Sequence, residues 1–226
     1  MSNVVMIMGK SGTGKSTSIK TLDPKGTVVI NVLKKRLPFK GSMSMYNLEN
    51  KNLFNMDTSA DIIALLKNIN DKATYVKNVI IDDMSYIMRK EAFARAKESS
   101  YGKFTEMAQH FQQVVSTCES LRDDMNIFFC MHADDVQSDK VLQTYKAATI
   151  GNMVDDKYNP VEVVPVLLFS DVIFDDKGTP TYGFYTHRTM KGAVTIPAKS
   201  PDGMFEEDFI PNDLAYVVKK MDEYYQ

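Results

Sequence analysis

The clearest chemical pattern in the sequence is the loop Gly9-Lys10-Ser11-Gly12-Thr13-Gly14-Lys15-Ser16, whose spacing is G-x-x-x-x-G-K-[ST]. Glycines let successive backbone N–H groups turn inward around a polyphosphate, which side chains would prevent. We therefore expect Lys15 to reach the outer phosphates and the Ser16 hydroxyl to bind Mg²⁺. A flexible Gly/Ser linker is the alternative. The predicted phosphate-binding residues are Gly9, Lys10, Ser11, Gly12, Thr13, Gly14, Lys15, Ser16 and Thr17.

The residues on either side of this loop favour phosphate binding over a linker. An apolar, partly β-branched run at residues 4–8 predicts a strand that leads into the loop. Residues 16–22 are compatible with a helix that leads out of it. A strand, loop and helix in this order would place the phosphates at a helix N-terminus, where backbone N–H groups have no other partner.

Two carboxylates follow a second apolar run, in the segment Asn78-Val79-Ile80-Ile81-Asp82-Asp83. A central parallel strand presents acids at its carboxyl edge in this way, beside a phosphate loop. We expect Asp82 to hold magnesium, directly or through water, and Asp83 to polarise an attacking water. Taken alone, an apolar run that ends in Asp-Asp also fits a strand that ends at a turn.

A histidine follows another buried-strand pattern, at residues 126–131. At that end of a strand, beside the acid-bearing strand, His132 would touch the γ-phosphate or the attacking water as a sensor. A histidine that caps a turn is an equal alternative. The predicted catalytic residues are thus Lys15, Asp83 and His132, and the predicted metal ligands are Ser16 and Asp82.

The composition is that of an ordinary globular protein, with 226 residues, 44% hydrophobic and 25% charged. We predict a single domain over residues 1–226. The net charge of −2 provides no global basic field, so any contact with nucleic acid must come from a local patch. Cys118 and Cys130 lack metal-ligand spacing and are expected to be buried, reduced thiols. Neither a signal peptide nor a membrane-length apolar run is found, which favours a cytoplasmic protein without a membrane partner.

The remaining patterns predict an α/β fold with a mainly parallel sheet, flanking helices and an appended antiparallel hairpin. Residues 27–32 predict a buried strand, and the basic residues of the loop at 33–42 favour a solvated loop over a phosphate contact. Residues 136–157 have no clear periodicity and are expected to be mobile rather than packed. The other predicted elements are helices at 85–98 and 104–122, a helix capped by Thr58, a hairpin around residues 175–178 and a last helix capped by Asn212.

Further sequence features indicate which nucleotide and which reaction to expect. No Asn-Lys-x-Asp motif for reading guanine follows the phosphate loop, which weakly favours adenine. A small-molecule phosphotransferase clamps its phosphates with several arginines, whereas the five arginines here are scattered. Hydrolysis of ATP is therefore preferred. A nucleotide kinase and a nucleotide-gated interaction protein with little hydrolysis are the alternatives.

Several motifs together resemble the bacteriophage RecA-like ATPases of the AAA-type phage nucleotide-binding group, which includes minimal RecA-core proteins linked to single-strand annealing recombination. The motifs are the phosphate loop, Asp82-Asp83, Met131-His132, Leu37-Pro38-Phe39-Lys40-Gly41, Lys199-Ser200-Pro201-Asp202-Gly203-Met204-Phe205 and Pro211-Asn212-Asp213-Leu214. The resemblance implies a RecA-type core that binds ATP and Mg²⁺, assembles head to tail as a homo-oligomer and acts on single-stranded DNA. It also implies the host cytoplasm as location and a single-stranded-DNA-binding protein as a further partner.

The sequence departs from that group at two places. Asn152 stands where the group has a basic residue, which puts a trans-acting lysine there in doubt, and the separate catalytic glutamate of RecA has no counterpart. Asp83 would then take the place of that glutamate, on the ground of its position alone. Arg188 and Lys191 are candidates for a cation that completes a neighbouring subunit's site, with solvated surface charge as the alternative.

Overall fold

The computed structural model describes residues 1–151, 154 and 158–226. Its strands are β1 (Asn3–Gly9), β2 (Thr27–Asn31), β3 (Leu53–Phe54), β4 (Asn78–Asp82), β5 (Asn126–Ser138), β6 (Val141–Ala147), β7 (Val166–Phe174), β8 (Pro180–Tyr185), β9 (Thr189–Lys191), β10 (Val194–Ile196) and β11 (Phe209–Pro211). Its helices are a 3₁₀ helix (Ser16–Thr21), α1 (Ser42–Met45), α2 (Ser59–Lys72), α3 (Ser85–Ala94), α4 (Gly102–Glu119), α5 (Pro160–Val163) and α6 (Leu214–Tyr225).

The predicted α/β fold is confirmed. The main sheet has the strand order β11-β8-β7-β1-β5-β4-β2-β3, and its pairs are parallel from β7 to β3. Strands β8 and β11 pair antiparallel at one edge, and β9 and β10 form a separate antiparallel hairpin. Apolar side chains are buried on both faces of the sheet. Alternate residues of β1 belong to two different apolar clusters, one on each face. This explains why the central strands are continuously apolar.

The strand order brings the predicted site residues to one edge of the sheet. Strand β5 lies between β1, which ends at the phosphate loop, and β4, which ends at Asp82. In the parallel register, Gly9 at the end of β1 is paired with His132. The carboxyl ends of these three strands therefore meet, as ligand sites of open α/β sheets do.

The segment after His132 is more regular than we predicted. Strand β5 continues to Ser138, turns through Asp139 and Lys140, both with positive φ, and pairs antiparallel with β6. The lack of regular structure predicted for residues 136–157 is thus wrong for this hairpin. Short, polar, alternating strands have a weak sequence signal, and cross-strand pairing stabilises them. Asn152 lies outside the described residues.

Several predicted element boundaries also change. Helix α3 ends at Ala94 rather than at residue 98, α4 covers Gly102–Glu119, and the segment after the phosphate loop is a 3₁₀ helix. The Thr58 cap of α2 is confirmed, since its hydroxyl accepts a hydrogen bond from the Asp61 N–H at 3.2 Å. The hairpin around residues 175–178 is confirmed as β7 and β8. The cap of α6 is Asp213, not Asn212, because the Asp213 carboxylate accepts from the Tyr216 N–H at 3.0 Å.

Two further expectations concern single features. Cys118 and Cys130 are buried free thiols, as predicted. In the described part of the chain, the helices are all too short or too polar to cross a bilayer.

Candidate functional site

The phosphate loop follows β1 and contacts Ser170 of β7. A Cβ on Gly9 would lie 2.5 Å from the carbonyl oxygen of Ser170, so only glycine permits this close approach. The Ser170 hydroxyl donates to the carbonyl of Thr13 at 2.8 Å. Gly12 and Gly14 both have positive φ, which glycine adopts without strain. Glycines at these positions therefore permit the path that the loop takes beside β7.

Lys15 lies inside this loop. Its ammonium group donates to the carbonyls of Gly9 at 2.8 Å and Lys10 at 2.7 Å, and its side chain is buried. Burial lowers the pKa of Lys15 below its usual value. A desolvated ammonium that donates to carbonyls, as Lys15 does to the carbonyls of Gly9 and Lys10, has a strong electrostatic attraction to an anion. A phosphate bound by the loop would therefore be a better partner for Lys15 than the carbonyls.

Ser16 and Asp82 are in direct contact under the loop. The Ser16 hydroxyl donates to Asp82 Oδ1 at 2.8 Å, and Asp82 Oδ2 is buried without a hydrogen-bond partner among the described residues. Burial, reinforced by the charge of Asp83, raises the pKa of Asp82 to about 6. An unpaired buried carboxylate oxygen beside a hydroxyl is an oxygen-ligand set that Mg²⁺ prefers, so these residues fit the ion. In the described residues no group of three His, Cys, Asp or Glu side chains forms a metal site, so phosphate and water would supply the other ligands.

The burial of Asp82 predicts a stability cost. Because its pKa rises from 3.8 to about 6 on folding, ionised Asp82 costs about 3 kcal/mol of folding free energy above pH 7. For a raised carboxyl pKa, the stability contribution is full below pH 3.8 and is lost as the pH rises through 6. We expect Asp82→Asn to raise the free energy of unfolding by about this amount at pH 8 and by much less at pH 4.5, measured by urea denaturation.

Asp134→Asn is the control for this experiment, since Asp134 is a half-exposed carboxylate whose ion pair with Arg89 is long, at 3.8 Å. It should change the unfolding free energy little at either pH. An Asp82→Asn protein that is no more stable than wild type at pH 8 would contradict the cost assigned to the buried charge.

Asp83 is bound from two sides. Its Oδ1 lies 3.1 Å from Nε2 of His132, and its Oδ2 lies 2.5 Å from the ammonium of Lys35. Burial alone would raise the pKa of Asp83, but the His132 and Lys35 contacts outweigh burial and lower it. Asp83 also has a φ of 59°, an uncommon backbone conformation for a residue other than glycine. The arrangement keeps an ionised carboxylate at the edge of the sheet.

Lys35 is a site residue that the sequence interpretation missed, because the loop at 33–42 was expected to be solvated. Asn31, which ends β2 and pairs with Asp82, holds the backbone of Lys35. The Asn31 amide donates to the Lys35 carbonyl at 2.6 Å and accepts from the Lys35 N–H at 3.3 Å. The one sequence feature that could have indicated Lys35 is the basic loop that directly follows β2, the strand beside the acid-bearing strand.

His132 is placed by its neighbours in α3. Its backbone N–H donates to the Ser85 hydroxyl at 3.0 Å, and its ring packs edge-on against Tyr86 with centroids 5.6 Å apart. The ring is half-buried and faces Asp83. A contact of His132 with a γ-phosphate stays a prediction.

These groups line a cleft of about 680 Å³. The lining residues are Ser11, Gly12, Gly14, Lys15, Ser16, Thr17, Lys20, Lys35, Arg36, Pro38, Asp83, His132, Tyr182 and Asn212. Asp82 lies beneath the cleft and reaches it through Ser16. The Lys10 side chain instead pairs with Asp135 at 2.5 Å, outside the cleft. Tyr182 and Asn212 are lining residues that were not predicted as site residues, although Asn212 belongs to the motif Pro211-Asn212-Asp213-Leu214.

The candidates for a trans-acting cation differ in their surroundings. Lys191 forms an ion pair with Asp171 at 2.7 Å. Arg188 is exposed, and no ion pair to it is found within the described ranges.

Comparison with known proteins identifies one domain family. A family model described as an AAA domain matches residues 1–189. A search of curated proteins gives no match. The matched range contains the phosphate loop, both carboxylates, Lys35, His132 and Tyr182, and it ends before Asn212 and α6.

Proposed function

The chain belongs to the AAA-domain family, and we propose that it is a magnesium-dependent ATPase that acts on single-stranded DNA. Membership makes it a nucleotide-binding P-loop ATPase domain. The single observation that carries the magnesium-dependent ATPase part of the proposal is the Ser16–Asp82 contact beneath the phosphate loop, with its unpaired buried carboxylate oxygen. A buried negative charge with an open coordination position is costly unless a cation binds there. Binding of a metal–nucleotide complex would relieve that cost.

The mechanism follows from the positions of the side chains. Lys15 exchanges its two carbonyl partners for phosphate oxygens and neutralises charge as it develops in the transition state. Asp83 accepts the proton of the attacking water, and the Nε2 of His132 holds the Asp83 carboxylate in place. Ser16 and Asp82 would hold Mg²⁺, which when bound would supply further charge neutralisation on the phosphates. Catalysis thus consists of positioning and electrostatics.

The cleft supports hydrolysis over phosphate transfer to a small acceptor. Arg36 is the one arginine that lines it among the described residues. Phosphotransferases surround both substrates with several arginines, which exclude water and stabilise the transferred group. A cleft with a single arginine and a carboxylate at its edge suits an attacking water.

The single-stranded DNA part of the proposal is supported by an exposed aromatic surface at the connection between α3 and α4, where Lys97 is exposed and Arg95 is paired with Glu91, Glu98 and Glu106. Phe93 and Tyr101 are more than four-fifths exposed there, and the ammonium of Lys103 lies 5.3 Å from the ring centroid of Phe104. Exposed rings beside lysines stack bases and attract the backbone of single strands without reading sequence. The resemblance to phage RecA-like ATPases of recombination or replication points the same way.

DNA stimulation tests this part directly. We expect an oligothymidylate to accelerate phosphate release and its affinity to fall steeply with salt. Tyr101→Ala should weaken DNA binding roughly 5- to 150-fold, because one stacked base is worth about 1–3 kcal/mol, and leave DNA-free turnover unchanged. Tyr75→Ala is the matched control, since Tyr75 is also largely exposed but lies on another surface. Intact ATP binding without stimulation by any DNA would overturn the DNA role.

A head-to-tail homo-oligomer belongs to the same proposal. With a single arginine in the cleft, a cation from a neighbouring subunit would complete the site, and the exposed Arg188 is the best candidate. Sedimentation with and without ATP measures this assembly. A chain that stays monomeric under turnover conditions would rule out a role for a neighbour's cation.

A second candidate function is a nucleotide-gated interaction protein that hydrolyses little. The observation that favours it is the ion pair between Asp83 and Lys35, which occupies the proposed base. If Lys35 keeps this partner when ATP binds, nucleotide would act as an assembly switch. ATP-dependent assembly with no phosphate release would select this function over the first.

A further inference from the structure

We infer that Tyr182 and Asn212 form the base-binding end of the cleft and select adenine. The inference rests on the proposed function, because it assigns the nucleoside part of the same nucleotide. Both residues lie outside every motif that identified the phosphate loop. They reach the loop from the edge of the sheet opposite to the acidic strands.

The strand order separates the two ends of the cleft. Strands β5 and β4 carry His132 and Asp83 on one side of β1, whereas β8 and β11 lead to Tyr182 and Asn212 on the other side. The phosphate loop, which follows β1, lies between them. A triphosphate whose outer phosphate faces Asp83 therefore extends its nucleoside toward Tyr182 and Asn212. The cleft volume of about 680 Å³ lies in the range of sites that hold a whole small ligand.

The Asn212 amide donor is not satisfied within the described part of the chain. Helix α6 is capped by Asp213, so the Asn212 amide is not used as a cap. Its Nδ2 is buried and has no hydrogen-bond partner among the described residues. A buried donor without a partner is costly and rare in folded proteins, which indicates a missing partner.

Backbone contacts of β8 and β11 hold the Asn212 side chain beside the phosphate loop. The Asn212 N–H donates to the Tyr182 carbonyl at 3.2 Å, which ties the two residues together. A Cβ on Gly183 would lie 2.4 Å from the Ile210 carbonyl oxygen, so glycine is what lets β11 approach β8 here. A Cβ on Gly14 would lie 3.0 Å from Asn212 Nδ2, so the amide rests on the loop itself.

The chemistry of these two side chains suits adenine. An asparagine amide pairs with adenine in two hydrogen bonds, by accepting from N6 and donating to N7. Guanine has an acceptor, O6, in place of the N6 donor, so one of the two bonds is lost and two oxygens face each other. Tyr182 is 45% exposed, and its ring offers a stacking surface that does not distinguish the two purines.

The test compares the binding of ATP, GTP and inorganic tripolyphosphate by calorimetry. We expect Asn212→Ala to weaken ATP binding roughly 5- to 150-fold and to remove the preference over GTP, because a bidentate pair has about that value. Tripolyphosphate affinity should be unchanged. Tyr182→Ala should weaken ATP and GTP alike, Tyr182→Phe should weaken neither, and Tyr224→Ala, a half-exposed tyrosine on α6, is the matched control.

A measurement on the wild-type protein tests the inference even if the Asn212→Ala variant fails to fold. 7-Deaza-ATP lacks N7, so wild type should bind it more weakly than ATP, whereas Asn212→Ala should not distinguish the two. Equal affinity of wild type for ATP, GTP and 7-deaza-ATP, with tripolyphosphate bound, would overturn the inference and leave the proposed function standing. Absence of all binding, tripolyphosphate included, would overturn both.

Discussion

Lys15→Ala is expected to abolish ATP turnover, with a loss of roughly 10²- to 10³-fold or more, because it removes a preorganised cation from the phosphate loop. The Lys15 ammonium is buried between the carbonyls of Gly9 and Lys10 and points into the loop. ATP and tripolyphosphate binding should weaken together, since the lost contact is to phosphate. Phosphate release and calorimetric titration measure the two effects.

Lys10→Ala is the matched control for this variant. Lys10 belongs to the same loop, but its ammonium pairs with Asp135 and lies 5.6 Å from the ring centroid of Tyr145. Its loss should leave the chemical step intact. If Lys10→Ala and Lys15→Ala reduce turnover equally, the loop depends on its overall charge or stability rather than on the buried ammonium, and the role given to Lys15 is wrong.

Asp83→Asn is expected to reduce kcat by roughly 10²- to 10⁴-fold while ATP affinity is retained, because general-base catalysis contributes about that much to a proton transfer. Asn keeps the size of the side chain and tolerates the positive φ at this position. It cannot accept the proton of water. Steady-state turnover together with equilibrium ATP binding separates the chemical step from binding.

The lowered pKa of Asp83 adds a pH signature. Because His132 and Lys35 hold this pKa below its usual value, Asp83 stays ionised throughout the mildly acidic range. A loss of wild-type turnover near pH 6 would therefore not come from protonation of Asp83. Asp134→Asn should leave turnover unchanged. A fully active Asp83→Asn protein would exclude Asp83 as the base.

The local parts of the site followed from the sequence. The loop spacing identified Lys15 and Ser16, and the apolar run that ends in two carboxylates identified Asp82 and Asp83. These patterns are informative because strand, loop and helix are contiguous in sequence, and the carboxyl ends of parallel strands meet at one edge. The Ser16–Asp82 contact joins two such motifs across 66 positions of sequence.

The parts that were missed depend on contacts between distant segments. Lys35 follows no motif, and its ion pair with Asp83 exists only because β2 lies beside β4. The β5–β6 hairpin has polar strands whose pairing is invisible in their periodicity. The observed cap of α6, Asp213, is one residue after the predicted cap, Asn212. Both residue types are good caps, so the sequence does not distinguish them and the backbone geometry decides.

The sequence by itself determined the ligand class and the fold class, since a phosphate loop and buried parallel strands are encoded by short-range spacing and hydrophobicity. The tertiary structure alone decided which charges face each other and what lies at the far end of the cleft. Lys35 beside Asp83 and Asn212 over Gly14 are examples. Such juxtapositions arise from strand order, because packing of a sheet brings together residues that no local pattern relates.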